Sequence, residues 1–248
     1  MLARRPKENI QVWDLRTRKF SRELLLEGGP PLKCFFTSQG NRLIIGSLDG
    51  PDGPTLHEID FSTWENIRNS RGPALLTTGA ISPDARWCVA FGVSGASVIN
   101  DLTTSRAMPG NLEIKGLRGA VFSPDGKLLA GASDRGFTRI WDAASLQETA
   151  TLRGSQGAMS SVAFSPDSQR LATGCGGRTA LSLWDVESLE ELLTLEGQGS
   201  MFNATAFSPD GAVLGSMNAP GDSRTSILHL WRAPSWAEIE AAEKQTGK

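Results

Sequence analysis

Residues 159–185 read MSSVAFSPDSQRLATGCGGRTALSLWD, and this stretch decides the fold. A run of apolar and small residues, 159–164, ends at a Ser-Pro-Asp turn, and a second run, 170–174, ends at a glycine-rich loop. Two further runs follow, 180–184 and 190–195. Runs of five or six such residues between turn signals are typical of β-strands. Proline suits the turn because its fixed φ is favourable there and no ladder N–H is needed.

Both landmarks of this stretch recur along the chain at a nearly constant period. Ser-Pro-Asp occurs four times and degenerates once to Ser-Gln-Gly, with serine-to-serine steps of 44, 41, 42 and 43 residues. Trp-Asp or a weaker copy keeps the same phase, with steps of 46, 41, 41, 43 and 47 residues. The serines are Ser38, Ser82, Ser123, Ser165 and Ser208, and the residues in the Trp position are Trp13, Ile59, Asn100, Trp141, Trp184 and Trp231. Two markers in phase, with four strands between them, indicate repeated propeller blades.

The pattern SVAFSPDSQRLATG…LSLWD…LLTL resembles the WD-repeat (WD40) β-propeller motif, over essentially residues 1–231. The resemblance implies an all-β ring of four-stranded blades that presents surfaces to other proteins, and the divergent copies look like bacterial members of the family. A short helical tail is predicted at 232–248, where Ser235 and Glu238 have the spacing of a capping box. The predicted propeller comprises a half-blade at 1–27 and repeats at about 28–70, 71–110, 111–153, 154–196 and 197–231.

The copies depart from the family pattern at one place. The Gly-His pair expected before the innermost strand is missing in every copy, and Gly154-Ser155 and Gly197-Gln198 stand there instead. The resemblance implies a hydrogen-bonded tetrad of Asp, His, Ser or Thr, and Trp in each blade, so this tetrad is broken. The fold prediction stands, but single blades are expected to lose stability.

The two ends of the chain do not make a whole ring. Residues 1–27 hold a third and an outer strand, whereas the fifth repeat stops after its third strand, 226–231. We expect upstream sequence to be missing, so that the chain is the C-terminal portion of a larger propeller and forms an incomplete or strained ring. The tail resembles the C-terminal ends of bacterial WD-repeat proteins, some of which carry a serine/threonine-kinase-like domain upstream.

The composition is that of an ordinary soluble globular protein and gives no sign of nucleic acid or membrane as a partner. The 25 Lys and Arg against 27 Asp and Glu leave a net charge of −2, and 39% of the residues are hydrophobic. No run approaches the ~20 apolar residues of a membrane span. Cys34, Cys88 and Cys175 are odd in number and far apart, which predicts reduced, buried thiols in a cytoplasmic protein.

No constellation of residues predicts catalysis, a metal or a cofactor. The two histidines, His57 and His229, belong to distant repeats, and the cysteines have no ligand spacing. No nucleophile elbow and no kinase catalytic loop occurs. We therefore expect a non-catalytic scaffold that binds a protein or peptide. The alternative is the propeller region of a bacterial serine/threonine-kinase-like signalling protein whose catalytic domain lies upstream, and open strand edges would allow self-association.

Basic residues recur in the loop between the second and third strands of a repeat. Arg135, Arg178 and Arg224 precede their Trp by 6, 6 and 7 residues, and in a propeller these loops share one rim. The guanidinium fork suits a carboxylate or a phosphate. These three arginines, with Met201 at the entry to the last inner strand, are the predicted binding residues.

Charge is distributed unevenly along the chain. Residues 1–22 carry a net charge of +5, whereas residues 179–223 hold seven acidic side chains and no Lys or Arg. Two interpretations are open. Either both charged segments are outer strands exposed to solvent, or the acidic segment attracts the basic chain end or blades that are missing here.

Overall fold

The computed structural model describes most of the chain as antiparallel β-sheet. The chain divides into two compact units, 1–115 and 116–248. Every regular element in the described ranges is a strand, and strands that follow one another within a sheet pair antiparallel. The described residues are 9–14, 16–25, 31–36, 42–50, 53–71, 76–84, 86–92, 97–104, 106–108, 112, 114–153, 159–175, 179–196, 202–218 and 226–234.

The first unit holds a two-stranded sheet and two four-stranded sheets. The two-stranded sheet is the predicted half-blade, with β1 (Asn9–Asp14) and β2 (Lys19–Leu25). The first repeat comprises β3 (Pro31–Phe36), β4 (Arg42–Gly50), β5 (Gly53–Asp60) and β6 (Asn66–Arg71). The second repeat comprises β7 (Leu76–Ile81), β8 (Trp87–Gly92), β9 (Ser97–Asp101) and β10 (Arg106–Met108).

The second unit holds two four-stranded sheets and one three-stranded sheet. The third repeat comprises β11 (Leu117–Phe122), β12 (Leu128–Ser133), β13 (Phe137–Asp142) and β14 (Glu148–Arg153). The fourth comprises β15 (Met159–Phe164), β16 (Arg170–Cys175), β17 (Thr179–Asp185) and β18 (Glu191–Glu196). The fifth comprises β19 (Phe202–Phe207), β20 (Val213–Asn218) and β21 (Ile227–Arg232).

These sheets confirm the predicted all-β fold of five repeats preceded by a half-blade. The helix predicted in the C-terminal tail lies outside the described residues, which end at Pro234. Within the described ranges, no helix is long and apolar enough to cross a membrane.

The core of the second unit lies between sheets, as a stack of amphipathic strands requires. Trp184, Phe164 and Val162 of the fourth repeat pack against Ile140 and Leu152 of the third. In the first unit, Leu24 of the half-blade packs in the same way against three apolar residues of the first repeat, Leu43, Ile45 and Ile59. Each four-stranded sheet thus buries apolar side chains against its neighbour in sequence.

Every Ser-Pro-Asp turn of the described chain is held by the same side-chain bonds. In the fourth repeat, the Ser165 hydroxyl donates to Oδ1 of Asp167 at 2.5 Å and accepts the N–H of Arg170 at 2.9 Å. The carboxylate also accepts the N–H of Gln169 at 3.0 Å. The same two serine bonds recur at Ser82, Ser123 and Ser208. The motif is therefore a self-contained turn between the first two strands of a repeat.

The Asp of each Trp-Asp pair organises the other tight turn, between the third and fourth strands. Oδ1 of Asp142 accepts both the N–H and the hydroxyl of Ser145 at 2.7 Å. Asp14, Asp60, Asp101 and Asp185 accept backbone N–H groups of their own turns in the same way. Both halves of the repeat signature are thus accounted for by local structure.

The prediction that all three thiols are buried is wrong for one of them. Cys88 and Cys175 are buried, but Cys34 is exposed. Cys34 lies on β3, the first strand of its repeat, whereas Cys88 and Cys175 lie on second strands, each paired on both sides. Burial raises the pKa of the Cys88 thiol to about 12, which makes it unreactive at neutral pH.

Candidate functional site

A groove opens in the second unit where the fourth repeat faces the fifth. It encloses about 480 Å³, and its rim carries the two Ser-Pro-Asp turns of these repeats. Its apolar lining consists of Leu183, Leu193, Leu195, Phe207, Leu214, Trp231 and Pro234, and its charged lining of Asp167, Arg170, Asp210 and Arg232. A concave apolar surface with a few charged groups at its border is the usual form of a binding site.

The groove lies beside the open side of the fifth repeat, which has three strands in the described chain. The fourth repeat extends one strand further, so β18 projects past β21. Leu193 on β18 lines the groove and is 50% exposed. The outer end of this sheet-to-sheet interface is therefore open to a ligand.

The inner end of the same interface is closed by hydrogen bonds. The hydroxyls of Ser160 and Ser161 both donate to the carbonyl oxygen of Phe202, at 2.6 and 2.7 Å. Oγ of Ser161 also lies 2.6 Å from Oγ1 of Thr205, which lies 2.9 Å from Oγ of Ser216. Strands β15 and β19 are thus tied together at the inner end of this interface.

Trp231 is held in the groove wall by aromatic packing. Its ring stacks on His229 with centroids 5.7 Å apart, and His229 in turn meets the ring of Phe202 edge-on at 5.2 Å. Phe202 is fully buried. Because the stack is anchored in the core, Trp231 presents a preset apolar surface rather than a mobile one.

Both aspartates in the charged lining of the groove are ionised at neutral pH. The Ser165 hydroxyl and the N–H of Gln169 lower the pKa of Asp167, and the Ser208 hydroxyl and the N–H of Ala212 lower the pKa of Asp210. Nη1 of Arg170 is engaged by Oδ2 of Asp185 at 2.8 Å. Residues 185–196, the turn and outer strand beside the groove, carry five acidic side chains, none of which lines the cavity: Asp185, Glu187, Glu190, Glu191 and Glu196.

Comparison with known families identifies the repeats. The family model described as "WD domain, G-beta repeat" matches residues 104–142 and 146–185, which include the third strands and Trp-Asp pairs of two repeats. The chain carries WD40 repeats. A WD repeat-containing protein of Synechocystis sp., uncharacterised, is 28% identical over 142 residues, which are 56% of this chain and 39% of the relative.

Among solved structures, the hydrazine synthase of Kuenenia stuttgartiensis has a similar fold. The TM-score is 0.69 at 15% sequence identity, over 84% of this chain and 64% of that one. At this identity the likeness concerns the fold alone. The chain spans less than two thirds of the length of either protein, the bacterial WD repeat-containing relative or the synthase.

One half of the WD40 tetrad is present in the fourth repeat. Nε1 of Trp184 donates to Oγ1 of Thr173 at 3.0 Å, and both residues are buried. In the third WD40 repeat, Gly131 occupies the corresponding place, and the ring of Trp141 packs over it. The tetrad lacks its histidine as predicted, and the Trp–Thr bond that remains accounts for part of the blade's stability.

Of the four predicted binding residues, the structure describes one. Arg135 is exposed in the turn between β12 and β13, where its N–H donates to Oγ of Ser133 at 3.2 Å. Arg178, Arg224 and Met201 lie outside the described residues. The arginine rim therefore stays a prediction. Its turns join second to third strands, at the opposite end of the strands from the Ser-Pro-Asp turns that border the groove.

The histidines noted in the sequence lie in ordinary sheet surroundings. Nδ1 of His57 is 3.3 Å from Nδ2 of Asn66, and burial lowers the pKa of this buried histidine. His229 belongs to the aromatic stack. In the part of the chain that is described, no group of three His, Cys, Asp or Glu residues could hold a metal ion.

Sequence reasoning missed the groove, although two signals for it were available. The outer strand of the fourth repeat carries Leu192, Leu193 and Leu195, more apolar bulk than an exposed edge strand needs. The strand pattern of the fifth repeat is recognisable in the sequence for three strands, up to 226–231. Together these features place leucines of the fourth repeat beside a sheet of three described strands.

Proposed function

We propose that this chain is a non-catalytic WD40 scaffold that binds a segment of another protein in the groove between the fourth and fifth repeats. The observation that carries the proposal is the cavity of about 480 Å³ with apolar walls and a charged rim. Its tryptophan is held by the stack on His229 and buried Phe202, so little ordering of this wall is needed on binding.

The charged groups at the rim favour a binding role over a catalytic one. Asp167 and Asp210 are each engaged by a serine hydroxyl and a backbone N–H of their own turn. A carboxylate whose pKa is lowered in this way is a poor general base at neutral pH. The rim can therefore attract and orient a ligand but has no activated nucleophile.

Site-specific photocrosslinking tests the proposal. A benzoylphenylalanine at position 193 faces the groove, and the same residue at position 230 is the matched control, because Leu230 is 64% exposed and does not line the cavity. In lysate of the source organism, we expect a discrete protein adduct at 193, none at 230, and loss of the adduct when Leu195→Asp is added. Equal adducts at both positions would contradict the proposal.

The arginine rim is the second candidate face for the same scaffold role. Arg135 is exposed and its backbone is fixed by Ser133, so its side chain can meet an acidic partner. Benzoylphenylalanine at position 135 allows capture at this rim to be compared with capture at position 193. A partner captured there, and not at 193, would assign binding to the loops between second and third strands.

A further inference from the structure

We infer that one end of the third repeat, where β12 turns into β13, is a docking site for a short acidic segment of a partner protein. Arg135 and Arg153 hold the segment there, with Arg118 beside them. This surface, the basic end of the third repeat, lies at the opposite end of the strands from the groove. The inference rests on the proposed scaffold role and names the ligand of its second face, but it does not depend on the groove.

The pairing of the four strands brings three arginines to this end of the sheet. Arg118 is the second residue of β11, Arg135 lies in the turn between β12 and β13, and Arg153 is the last residue of β14. Since neighbouring strands lie about 4.8 Å apart, the basic end spans about 14 Å from the first strand to the fourth. The row of paired residues across it consists of Leu117, Ser133, Phe137 and Arg153.

Positive charge is in excess at the basic end. Residues 114–119, 131–137 and 151–153 hold four basic side chains and one acidic side chain, a net charge of +3. The one carboxylate, Asp134, is taken up by Arg118, whose Nη2 and Nε lie 2.7 and 3.0 Å from Oδ2. Arg135 and Arg153 are exposed, and in the described part of the chain neither guanidinium has a hydrogen bond or an ion pair. Two arginine forks are therefore available to the carboxylates of a ligand.

The backbone that carries Arg135 is held on both sides of the turn. The N–H of Asp134 donates to the carbonyl oxygen of Gly116 at 2.8 Å, and the N–H of Gly136 donates to that of Ser133 at 3.2 Å. The N–H of Arg135 itself donates to Oγ of Ser133 at 3.2 Å. Only the arginine side chain, and not the loop, must therefore be ordered when a ligand binds.

The small extent of the positive charge favours a short acidic segment over nucleic acid. Glu196 ends β18 at the position where Arg153 ends β14, and residues 179–196 contain no Lys or Arg. A nucleic acid gains affinity by spreading many phosphates over many cations, and the chain as a whole has a net charge of −2. A width of about 14 Å corresponds to about four residues of an extended segment.

A synthetic peptide provides the probe, fluorescein-labelled Gly-Ser-Glu-Ala-Glu-Glu-Ser-Gly, with binding to the full chain followed by anisotropy. We expect saturable binding that weakens as NaCl is raised from about 50 to about 300 mM, because the charges are exposed. The analogue with Gln in place of each Glu should not bind. Arg135→Glu and Arg153→Glu should each weaken binding by about threefold or more, and together by about tenfold. Absence of binding at about 1 mM protein overturns the inference.

Lys127→Glu is the matched control, because it replaces one positive charge by one negative charge, as each arginine variant does. Lys127 is 79% exposed and lies at the other end of the same sheet, where it pairs with Asp125 at 3.4 Å. This variant should change peptide binding by less than about twofold. All three variants should keep the melting temperature of the parent chain, since the two arginine side chains bond to nothing in the described chain. A loss of binding as large for Lys127→Glu would overturn the inference.

A short fluorescein-labelled oligothymidylate tests the main competitor for the basic end. We expect it to bind more weakly than the acidic peptide at the same salt concentration. Tighter binding of the oligonucleotide, lost in Arg135→Glu and Arg153→Glu, would assign the basic end to nucleic acid and overturn the inference. Any of these failures leaves the groove in place, because a crosslink from position 193 to another protein would still support the proposed function.

Discussion

Two interfaces in the second unit, built from the same repeat, differ in how far they close. Between the third and fourth repeats, the outer strand is covered, and Leu152 is 4% exposed. Between the fourth and fifth repeats, the inner strands are tied by serine hydroxyls, but the outer strand opens into a cavity and Leu193 is half exposed. The inner strands are thus held together at both interfaces. The outer strand of a repeat is buried where the facing repeat has four described strands and borders a cavity where the facing repeat has three.

The turns at the rim show the same difference on a smaller scale. The N–H of Asp125 in the third repeat donates to Oγ of Ser168 in the fourth at 3.1 Å, which links the two turns. Gly211 stands at the position of Ser168 in the fifth repeat and has no hydroxyl to offer to Asp167. The residue at this position therefore decides whether the turns of two neighbouring repeats are hydrogen-bonded to each other: Ser168 allows the bond and Gly211 does not.

The largest effect is expected from the tryptophans of the two interfaces. Trp184 is 5% exposed and hydrogen-bonded to Thr173, so Trp184→Ala should lower the free energy of unfolding by about 3–5 kcal/mol. Trp231→Ala removes a half-buried ring and should cost clearly less. Urea denaturation of both variants measures the difference. Equal losses would show that the two interfaces are packed alike.

Two glycines allow the closely packed inner end of this interface to be compared with its less crowded surroundings. A Cβ at Gly174 would collide with Oγ of Ser161 and lie 2.5 Å from the carbonyl oxygen of Phe202, so Gly174→Ala should cost about 1–3 kcal/mol or more. A Cβ at Gly215 would meet only the flexible end of Leu230, at 3.2 Å. Gly215→Ala should therefore be nearly neutral, and a neutral Gly174→Ala would contradict close packing at the inner end of the interface.

Exchanging the residue types at positions 168 and 211 should make the rim of each interface resemble that of the other. Ser168→Gly removes the link to Asp125, worth about 0.5–1.5 kcal/mol, but it also relieves the strain of a positive φ at Ser168, so the net change in thermal unfolding should be small. Gly211→Ser keeps a positive φ, near +73° against +62° for Ser168, and places a hydroxyl beside the fourth-repeat turn. Because a side chain at this positive φ is strained, we expect a loss of stability of up to about 1 kcal/mol, together with weaker crosslinking from position 193. Unchanged crosslinking would show that the rim does not control access.

The smallest effect is expected on the pH dependence of the melting temperature. The pKa of Asp210 is lowered in the folded chain by the Ser208 hydroxyl and the N–H of Ala212. Its contribution to stability is therefore complete above the unfolded pKa of about 3.9 and is lost as the pH falls through the lower folded value. The difference in melting temperature between Asp210→Asn and the parent chain should be present at pH 7 and shrink towards pH 2. A difference that grows on acidification would have the wrong sign.

The features predictable from the sequence are those with local causes. Ser165, Asp167 and Asp185 bond to atoms within five residues of themselves, so the sequence around each suffices to predict its turn. The groove depends on which strand lies beside Leu193, and this is settled by pairing over tens of residues. The exposure of Cys34 was mispredicted for the same reason, because a strand pattern in the sequence does not reveal what packs over each side chain.

The self-contained Ser-Pro-Asp turn also bears on how such proteins gain and lose repeats. Each turn satisfies its serine and aspartate within its own six residues, from Ser208 to Val213 in the last copy. A duplication or deletion that begins in one turn and ends at the same point of another removes one full period and rebuilds an intact turn at the junction. The segment gained or lost would then begin and end in Ser-Pro-Asp turns, between the first and second strands of a sheet. Its limits would not coincide with the limits of the sheets. Repeat number could drift by recombination without a folding defect at the breakpoint.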